Sequence, residues 1–338
     1  MINISVVIPC KNEVNYIEEC IRAIFSSELP KNIQLNVLVV DGMSTDGTRD
    51  IVNKLIKEFS NLKLLNNEKE LTPYAFNIGT HETDFDFLQI VGARHIISSN
   101  YIYVCFKKII ANDEIWCAGG RIENSYINSK AKIIAEAMST SFGMGLGNFR
   151  TLKKTGFTDT VTSPMYPKSV FDKIGYFDER LTRNQDDDFN YRVLKSGGKI
   201  LFINEIHLKY YVRASLKNLK RQFYQYGYWK VYVNKKHKAI TTFRQLIPLF
   251  FVLFLFLLPI SLYFQVLSFF IFLPITILYL TLVLIFGVRL IEKSEDTFTA
   301  LLTYPTMHIS YGLGYLVGIF HFILLNKAPS PKHKRLSR

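Results

Sequence analysis

"ISVVIPCKNE", residues 4–13, and "LNVLVVDGMSTDGT", residues 35–48, are built alike: a short β-branched apolar run that stops abruptly in polar residues. Runs of this length and composition predict buried strands. Between them, "NYIEECIRAIF" places Ile17, Ile21 and Ile24 on one helical face. After the second run, "STDGTRDIVNKLIKEF" repeats that spacing with Ile51, Leu55 and Phe59. Strand, helix, strand, helix implies parallel βαβ units and an α/β domain whose sheet is covered on both faces. Ligands of such sheets bind beyond the C-terminal strand ends, which directs attention to Pro9, Asn12 and Glu13 after the first run and Asp41 and Asp46 after the second. Taken singly, these residues have plainer readings: Asp41 as a loop-capping acid, Asp46-Gly47 as a turn, Thr45 as a helix cap.

Further strands are expected at 62–65, 86–91, 115–121 and 199–203, with helices near 100–111 and 187–196. Beyond residue 205 the character of the chain changes. Ten Lys or Arg and no acid lie between Ile206 and Gln245, in a chain of formal net charge +13. Leu216, Leu219, Phe223, Tyr226, Trp229 and Val233 trace an amphipathic helix, expected to lie on a bilayer surface. Leu246 to Val288 then holds no charged residue over 43 positions, room for two spans of about 20 residues each. Pro259 and Gln265 mark a hairpin, with spans at about 246–263 and 268–288. A third apolar stretch, 300–325, carries His308, Ser310, Tyr311 and three glycines. The basic tail "NKAPSPKHKRLSR" argues for a cytoplasmic C-terminus, so this stretch is expected to re-enter or lie in the interface. The opening "MINISVVIPCKNE" has no basic start and apolar core of a signal peptide. The four cysteines form no C-x-x-C pair, which favours a reducing compartment. The expected organisation is a cytoplasmic α/β domain at 1–212, a basic amphipathic segment at 213–245, a membrane region at 246–326 and a basic tail at 327–338.

The two opening motifs together resemble glycosyltransferase family 2, whose pattern is a strand, P-x-x-N-E, then a strand ending V-D-(D/G)-x-S-x-D-G-T. "KELTPYAFNIGT", 69–80, continues the likeness with a basic residue followed by A-x-N-x-G. The resemblance implies a GT-A fold: a Rossmann-like mixed sheet flanked by helices, here followed by a C-terminal membrane helical region. It implies a nucleotide-sugar donor, UDP-linked, with Asp41 accepting a hydrogen bond from the uracil ring and Pro9, Asn12, Glu13 and Asp46 shaping the nucleoside pocket. An acceptor-only carboxylate at a strand end suits a base N–H edge. Lys69 is a nucleotide-side candidate whose plain reading is a solvated surface lysine.

The family's next strand ends in D-x-D or D-x-H, a pair that holds a divalent cation (Mn or Mg) on the donor diphosphate. In "DFDFLQIVGARHI", 84–96, the matching positions are Gly92 and Arg94, so the usual ligands are missing and no metal residue is assigned. Asp84 and Asp86 form a D-x-D by pattern but precede the strand, and about 20 Å of extended chain separates them from the expected cation site. Arg94 is expected to replace the cation, because a guanidinium fork matches phosphate oxygens; His95 is a possible second positive charge.

"RNQDDDFNYRVLKSGGKI", 183–200, resembles the family's E-D motif at a helix start, followed by R-x-x-x-x-G and the last sheet strand. Gln185 holds the usual Glu position. Asp186 matches the catalytic base, the group that removes the acceptor hydroxyl proton in an inverting transfer. Asp188 is expected to support the local network and Asp187 to be a helix-start acid facing water. Arg192 is placed to pair with these acids, or to form an ordinary i, i+4 surface bridge.

"YYVRASLKNLKRQFYQYGYWK", 210–230, is similar to a segment of membrane-anchored members that build succinoglycan-type exopolysaccharide. That likeness implies a lipid-linked glycan acceptor, a bacterial inner membrane with the catalytic domain in the cytoplasm, and Arg213, Arg221, Gln222, Tyr226 and Trp229 facing acceptor or interface. Two other readings share the fold: transfer to polyprenyl phosphate, and a non-catalytic donor-binding subunit of a polysaccharide assembly complex. Nucleic-acid binding by 206–245 is set aside, because an anionic lipid surface accounts better for basic residues beside a membrane segment.

Overall fold

The computed structural model describes residues 1–126, 128–145, 149–212, 215–264 and 268–329. The elements, in chain order, are β1 (Ile2–Cys10), α1 (Ile17–Phe25), β2 (Ile33–Asp41), α2 (Thr48–Ile56), β3 (Leu62–Asn66), α3 (Thr72–His81) and β4 (Phe87–Ile90). They continue with β5 (His95–Ile97), α4 (Tyr101–Ile110), β6 (Ile115–Ser125), α5 (Ser129–Met138), α6 (Ser141–Met144), β7 (Gly156–Thr158) and β8 (Thr162–Pro167). Then follow α7 (Lys168–Ile174), α8 (Gln185–Lys195), β9 (Lys199–Tyr211), α9 (Leu216–His237), α10 (Ile247–Phe264), α11 (Leu273–Val288) and α12 (Thr297–Gly318). The chain divides into two compact units, 1–123 with 147–211, and 124–146 with 212–338. Residues 124–146, from the end of β6 towards β7 in sequence, belong to the second unit.

The first unit is built on a mixed sheet of order β3-β2-β1-β4-β8-β6-β9-β5, with β7 paired to β9. The β3-β2-β1-β4 half is parallel, and β8 joins β4 antiparallel. Alternation along β1 explains the double cover. Ile4, Val6, Ile8 and Cys10 enter a core with Ile17, Ile21 and Ile24 of α1, Val52 and Leu55 of α2, and the apolar face of α4. Val7 points the other way, into a core with Ala75 and Phe76 of α3, Val170 and Phe171 of α7, and Phe189 and Val193 of α8. α3 approaches β1 closely because of Gly79, where a Cβ would lie 2.6 Å from the Val7 methyls. Pro9, which cannot donate to a ladder, sits in β1 beyond Val7↔Ile90, the last register pair with β4.

In the second unit α9 packs on α12 at glycines. A Cβ on Gly318 would lie 2.9 Å from the Tyr228 carbonyl oxygen, and Gly227 and Gly314 meet the carbonyls of Tyr311 and Tyr224. Tyr224, Gly227, Tyr228 and Val231 thus face α12, whereas Leu219, Phe223, Trp229 and Val233, on the apolar face expected on the bilayer, lie on the other side of α9 and are buried as well. Three stretches are long and apolar enough to cross a membrane: Phe243–Tyr263, Phe270–Val288 and Ser294–Leu324. The first two expose large apolar side chains such as Phe250, Phe256, Leu262, Ile277 and Leu284. The third, 31 residues long, differs from the re-entrant element expected, and its His308 has two partners. His308 Nε2 donates to the Phe142 carbonyl oxygen at 2.8 Å, and the Tyr279 hydroxyl lies 3.1 Å from His308 Nδ1.

Candidate active site

The loops after β1 and β2 interlock through side-chain-to-backbone bonds. Asn12 takes a left-handed conformation (φ 53°), its N–H donates to Ser44 Oγ at 2.7 Å, and its Oδ1 accepts from Thr45 N at 2.9 Å. Glu13 N donates to Thr48 Oγ1 at 2.9 Å. Asp46 accepts from Thr48 N at 3.0 Å and Val14 N at 3.2 Å. Desolvation opposes the Asp46 charge, but bonds from the Thr48 hydroxyl and these two N–H groups outweigh it and hold its carboxyl below the usual range. Asp46 therefore fastens one loop to the other.

Asp41 is fully buried. Its Oδ2 accepts from Ser44 N at 2.9 Å and Arg49 Nη1 at 2.8 Å, and Ser44 Oγ donates to Oδ1. Three of a carboxylate's roughly four acceptor positions are thus in use, leaving one for an N–H edge. Arg49 also donates to Asn66 Oδ1 at 2.9 Å, tying β2 to β3. Lys11 pairs with Glu70, whose backbone lies against Gly42, and Lys69 is exposed in that same β3–α3 loop.

The turn after β4 carries the positions where the family's cation ligands stand. Gly92 has no side chain. Arg94 donates from Nε to Glu13 Oε2 at 2.6 Å, and its guanidinium lies 4.6 Å from the Tyr16 ring centroid. Tyr16 in turn packs on Tyr211, whose hydroxyl donates to Glu19 at 3.1 Å. Among the described residues neither Nη group of Arg94 is hydrogen-bonded, so the forked end of the guanidinium is available to an oxyanion. A glycine and an arginine are not a donor set for a divalent cation. Asp84 and Asp86 lie at the opposite end of β4: Asp86 accepts from Asn3 N at 2.8 Å and Asp84 pairs with Lys168. His95 does not add a positive charge. Part of the residue is exposed, yet its ring packs against Gly92, Ser163 and Tyr210, and burial, then the nearby Arg150, hold the imidazole down at about 4. Arg150 itself lies over the Tyr210 ring, 5.8 Å from its centroid.

The three aspartates at the start of α8 have three environments. Asp186 is exposed. Asp187 is half-buried and accepts from Asn184 Nδ2 at 3.1 Å, rather than simply facing water. Asp188 is fully buried and pairs at 3.2 Å with Arg192, whose guanidinium also donates to the carbonyls of Ile174 and Tyr176. With its side chain 17% exposed, Arg192 is no surface bridge; it pins the 174–176 turn to α8. Asp188 therefore braces α8 through Arg192. Gln185 buries an Oε1 that has no partner among the described residues, in place of the usual acid. Asn190 Oδ1 accepts from the Tyr166 hydroxyl at 3.2 Å and Nδ2 donates to Thr160 at 3.0 Å, which joins α8 to β8 and the loop before it.

In the second unit, Arg213 lies outside the described residues. Arg221, Gln222 and Tyr226 are half-buried on α9, with Gln222 donating to the Tyr226 hydroxyl at 2.7 Å. Trp229 is a correction: its side chain is fully buried beside Tyr228, Tyr232 and Phe322, so it holds the helices together and faces no acceptor. Residues that the sequence did not single out include Ser44 and Thr48, within the quoted motif, whose bonds cross to the loop after β1, and Arg49 just beyond it, which bonds Asp41 and Asn66. Tyr16, Tyr211 and Ser163 left no local signal at all.

The sequence profile described as Glycosyl transferase family 2 matches residues 5–175. The chain is 31% identical over 302 residues, 87% of its length and 89% of the relative's, to the dolichyl N-acetyl-alpha-D-glucosaminyl phosphate 3-beta-D-2,3-diacetamido-2,3-dideoxy-beta-D-glucuronosyltransferase of Methanococcus voltae. It is 29% identical over 248 residues, 72% of its length and 74% of the relative's, to the succinoglycan biosynthesis protein ExoA of Rhizobium meliloti (strain 1021). Among solved structures, a mannosyltransferase from Pyrobaculum calidifontis in complex with GDP-Man and Mn²⁺ superposes with a TM-score of 0.61 at 15% identity, over 94% of this chain and 87% of that one. That likeness concerns the fold, which is GT-A. Profile, relatives and sheet order agree: the chain belongs to glycosyltransferase family 2 and is a glycosyltransferase.

Proposed function

We propose that the enzyme transfers a sugar, with inversion, from a UDP-sugar to a lipid-linked glycan at the cytoplasmic face of a membrane. The observation that carries this reading is the graded exposure of the three aspartates: Asp188 is fully buried beside Arg192, Asp187 is half-buried, and Asp186 is exposed. In the proposed step Asp186 takes the proton of the acceptor hydroxyl as its oxygen bonds to the anomeric carbon. The bond from that carbon to the diphosphate breaks on the opposite face, and the leaving diphosphate is met by the Nη groups of Arg94. Asp41 reads the base, while Asn12 and Asp46 hold the loops that shape the nucleoside pocket. Pro9 and Lys69 border that pocket. Glu13 keeps Arg94 in place until the donor's phosphates compete for it.

A lipid-linked glycan is preferred to bare polyprenyl phosphate because the Methanococcus voltae relative is named for a dolichyl phosphate that already bears a sugar. Arg221, Gln222 and Tyr226, next to the membrane segment, are assigned to that acceptor.

Calorimetric titration of the full-length enzyme with UDP, in EDTA and then in Mn²⁺, tests the donor assignment. Metal-free binding that weakens about 10- to 100-fold in Arg94→Ala, the worth of a charge-assisted hydrogen bond, is the expected result. Binding that requires Mn²⁺ overturns the role of Arg94, and no UDP binding overturns the donor.

A further inference from the structure

The turn that carries Arg94 is held by its neighbour. His95 N donates to the Gly92 carbonyl oxygen at 2.8 Å, and the Gly92 N–H points back at His95 Nδ1, 3.3 Å away. The imidazole therefore folds over Gly92. A Cβ at position 92 would lie 3.0 Å from its Cε1 and 3.2 Å from both ring nitrogens, closer than carbon tolerates without movement of the ring.

The ring has little freedom to move. Its Nδ1 is 2.8 Å from Ser163 Oγ, and its edge meets Tyr210 with centroids 5.2 Å apart. Ser163 is itself fixed in a costly left-handed conformation, φ 41°. Its carbonyl oxygen accepts from Gln89 Nε2 and from the Tyr101 hydroxyl, both buried. On the far side, Tyr211 N donates to the Arg94 carbonyl oxygen at 3.4 Å. The backbone of Arg94 is thus fastened from both sides.

We infer that His95 is the positioning residue of the donor-phosphate turn: its ring occupies the space that a side chain at 92 requires, and through Ser163 it fixes the backbone that presents Arg94. A side chain at 92 requires the held His95 ring to give way by a few tenths of an ångström, so an acidic pair at 92 and 94 is expected to be accommodated when residue 95 is small. This inference rests on the reading that Arg94 serves the donor diphosphate.

The test is UDP titration of the full-length enzyme in EDTA and in Mn²⁺, with thermal melting of each preparation. The variants are Arg94→Ala, His95→Ala, His95→Asn, the Arg94→Ala/His95→Ala double, Gly92→Asp/Arg94→Asp, and that pair with His95→Ala added. His95→Ala is expected to weaken metal-free binding about tenfold or more when Arg94 is present, and to add nothing once Arg94 is gone. His95→Asn, whose Oδ1 can take over the acceptor position of Nδ1, is expected to restore binding to within about threefold of the wild type. The acidic pair is expected to gain Mn²⁺-dependent binding only with His95→Ala. If the acidic variants fail to melt cooperatively, the Arg94 and His95 cycle decides alone. Additive effects in that cycle, or an Mn²⁺ response of the acidic pair with His95 in place, overturn the role of His95 while leaving Arg94 standing. A wild type that needs Mn²⁺ overturns both.

Discussion

Replacing each of the three consecutive aspartates by asparagine separates chemistry from architecture. Asp186→Asn removes the proposed base from an exposed position, so melting should stay within about a degree of the wild type. Loss of a positioned base costs about 10²- to 10⁴-fold in rate, or about 3–5 kcal/mol of barrier. Asp188→Asn acts on a carboxylate with no exposed surface, paired with Arg192 at 3.2 Å. Removing one partner of a fully buried pair costs about 3–5 kcal/mol. Arg192 keeps 17% exposure of its side chain and both carbonyl acceptors, which lowers the expected cost to about 2 kcal/mol. At about 2–4 °C per kcal/mol, the transition should fall by about 4–8 °C. Asp187→Asn loses a helix-start charge and weakens one bond from Asn184, a cost of about 0.5 kcal/mol. The assay is UDP release from the nucleotide sugar that the wild type consumes, measured on the preparations whose melting is recorded. Retention by Asp186→Asn of more than a tenth of wild-type turnover would refute the assignment of the base. So would a collapse of turnover in Asp188→Asn at unchanged melting temperature.

Asp46 has a lowered folded-state pKa, so its stabilising contribution is complete above the unfolded value of about 4 and disappears as pH falls through the folded one. The melting difference between wild type and Asp46→Asn should therefore be constant near neutrality and shrink on acidification below pH 4; a pH-independent difference counts against the loop lock. All four cysteines are free and buried, and burial pushes each thiol up. A thiol-disulfide reagent should modify none of them in the native enzyme and all of them in denaturant, and rapid native labelling at any one contradicts this packing. The third apolar helix, 31 residues in length, is about 46 Å long, more than a hydrocarbon core of about 30 Å. Reporters fused after Lys238 and after Lys327 should respond on opposite sides of the membrane, and the same side at both sites would restore a re-entrant third segment.

Several features were legible in the chain because their signals are local. The β1 and β2 runs, the periodicity of α1 and α2 and the polar residues at the strand ends define half a sheet and the edge where a ligand binds. The 43-residue uncharged run likewise marks two helices long and apolar enough to cross a membrane. The order of the other sheet half was not legible, because β5, β7 and β8 are three to six residues long and pair with strands far away in sequence. Trp229 reads as an interfacial aromatic until Tyr228, Tyr232 and Phe322 pack beside it and its side chain is buried.

By itself the sequence determined the family, and it put forward the strand-end loops, Arg94 and Asp186 as candidates. Only tertiary structure decided how the adjacent aspartates divide their roles, since burial depends on what packs over each. It alone paired Arg94 with Glu13 and Tyr16, 81 residues away for Glu13, and set Ser163 against His95 across 68. Spacing along a chain records periodic local structure, whereas the charge state and neighbours of a side chain are set by contacts that form only when distant segments fold together.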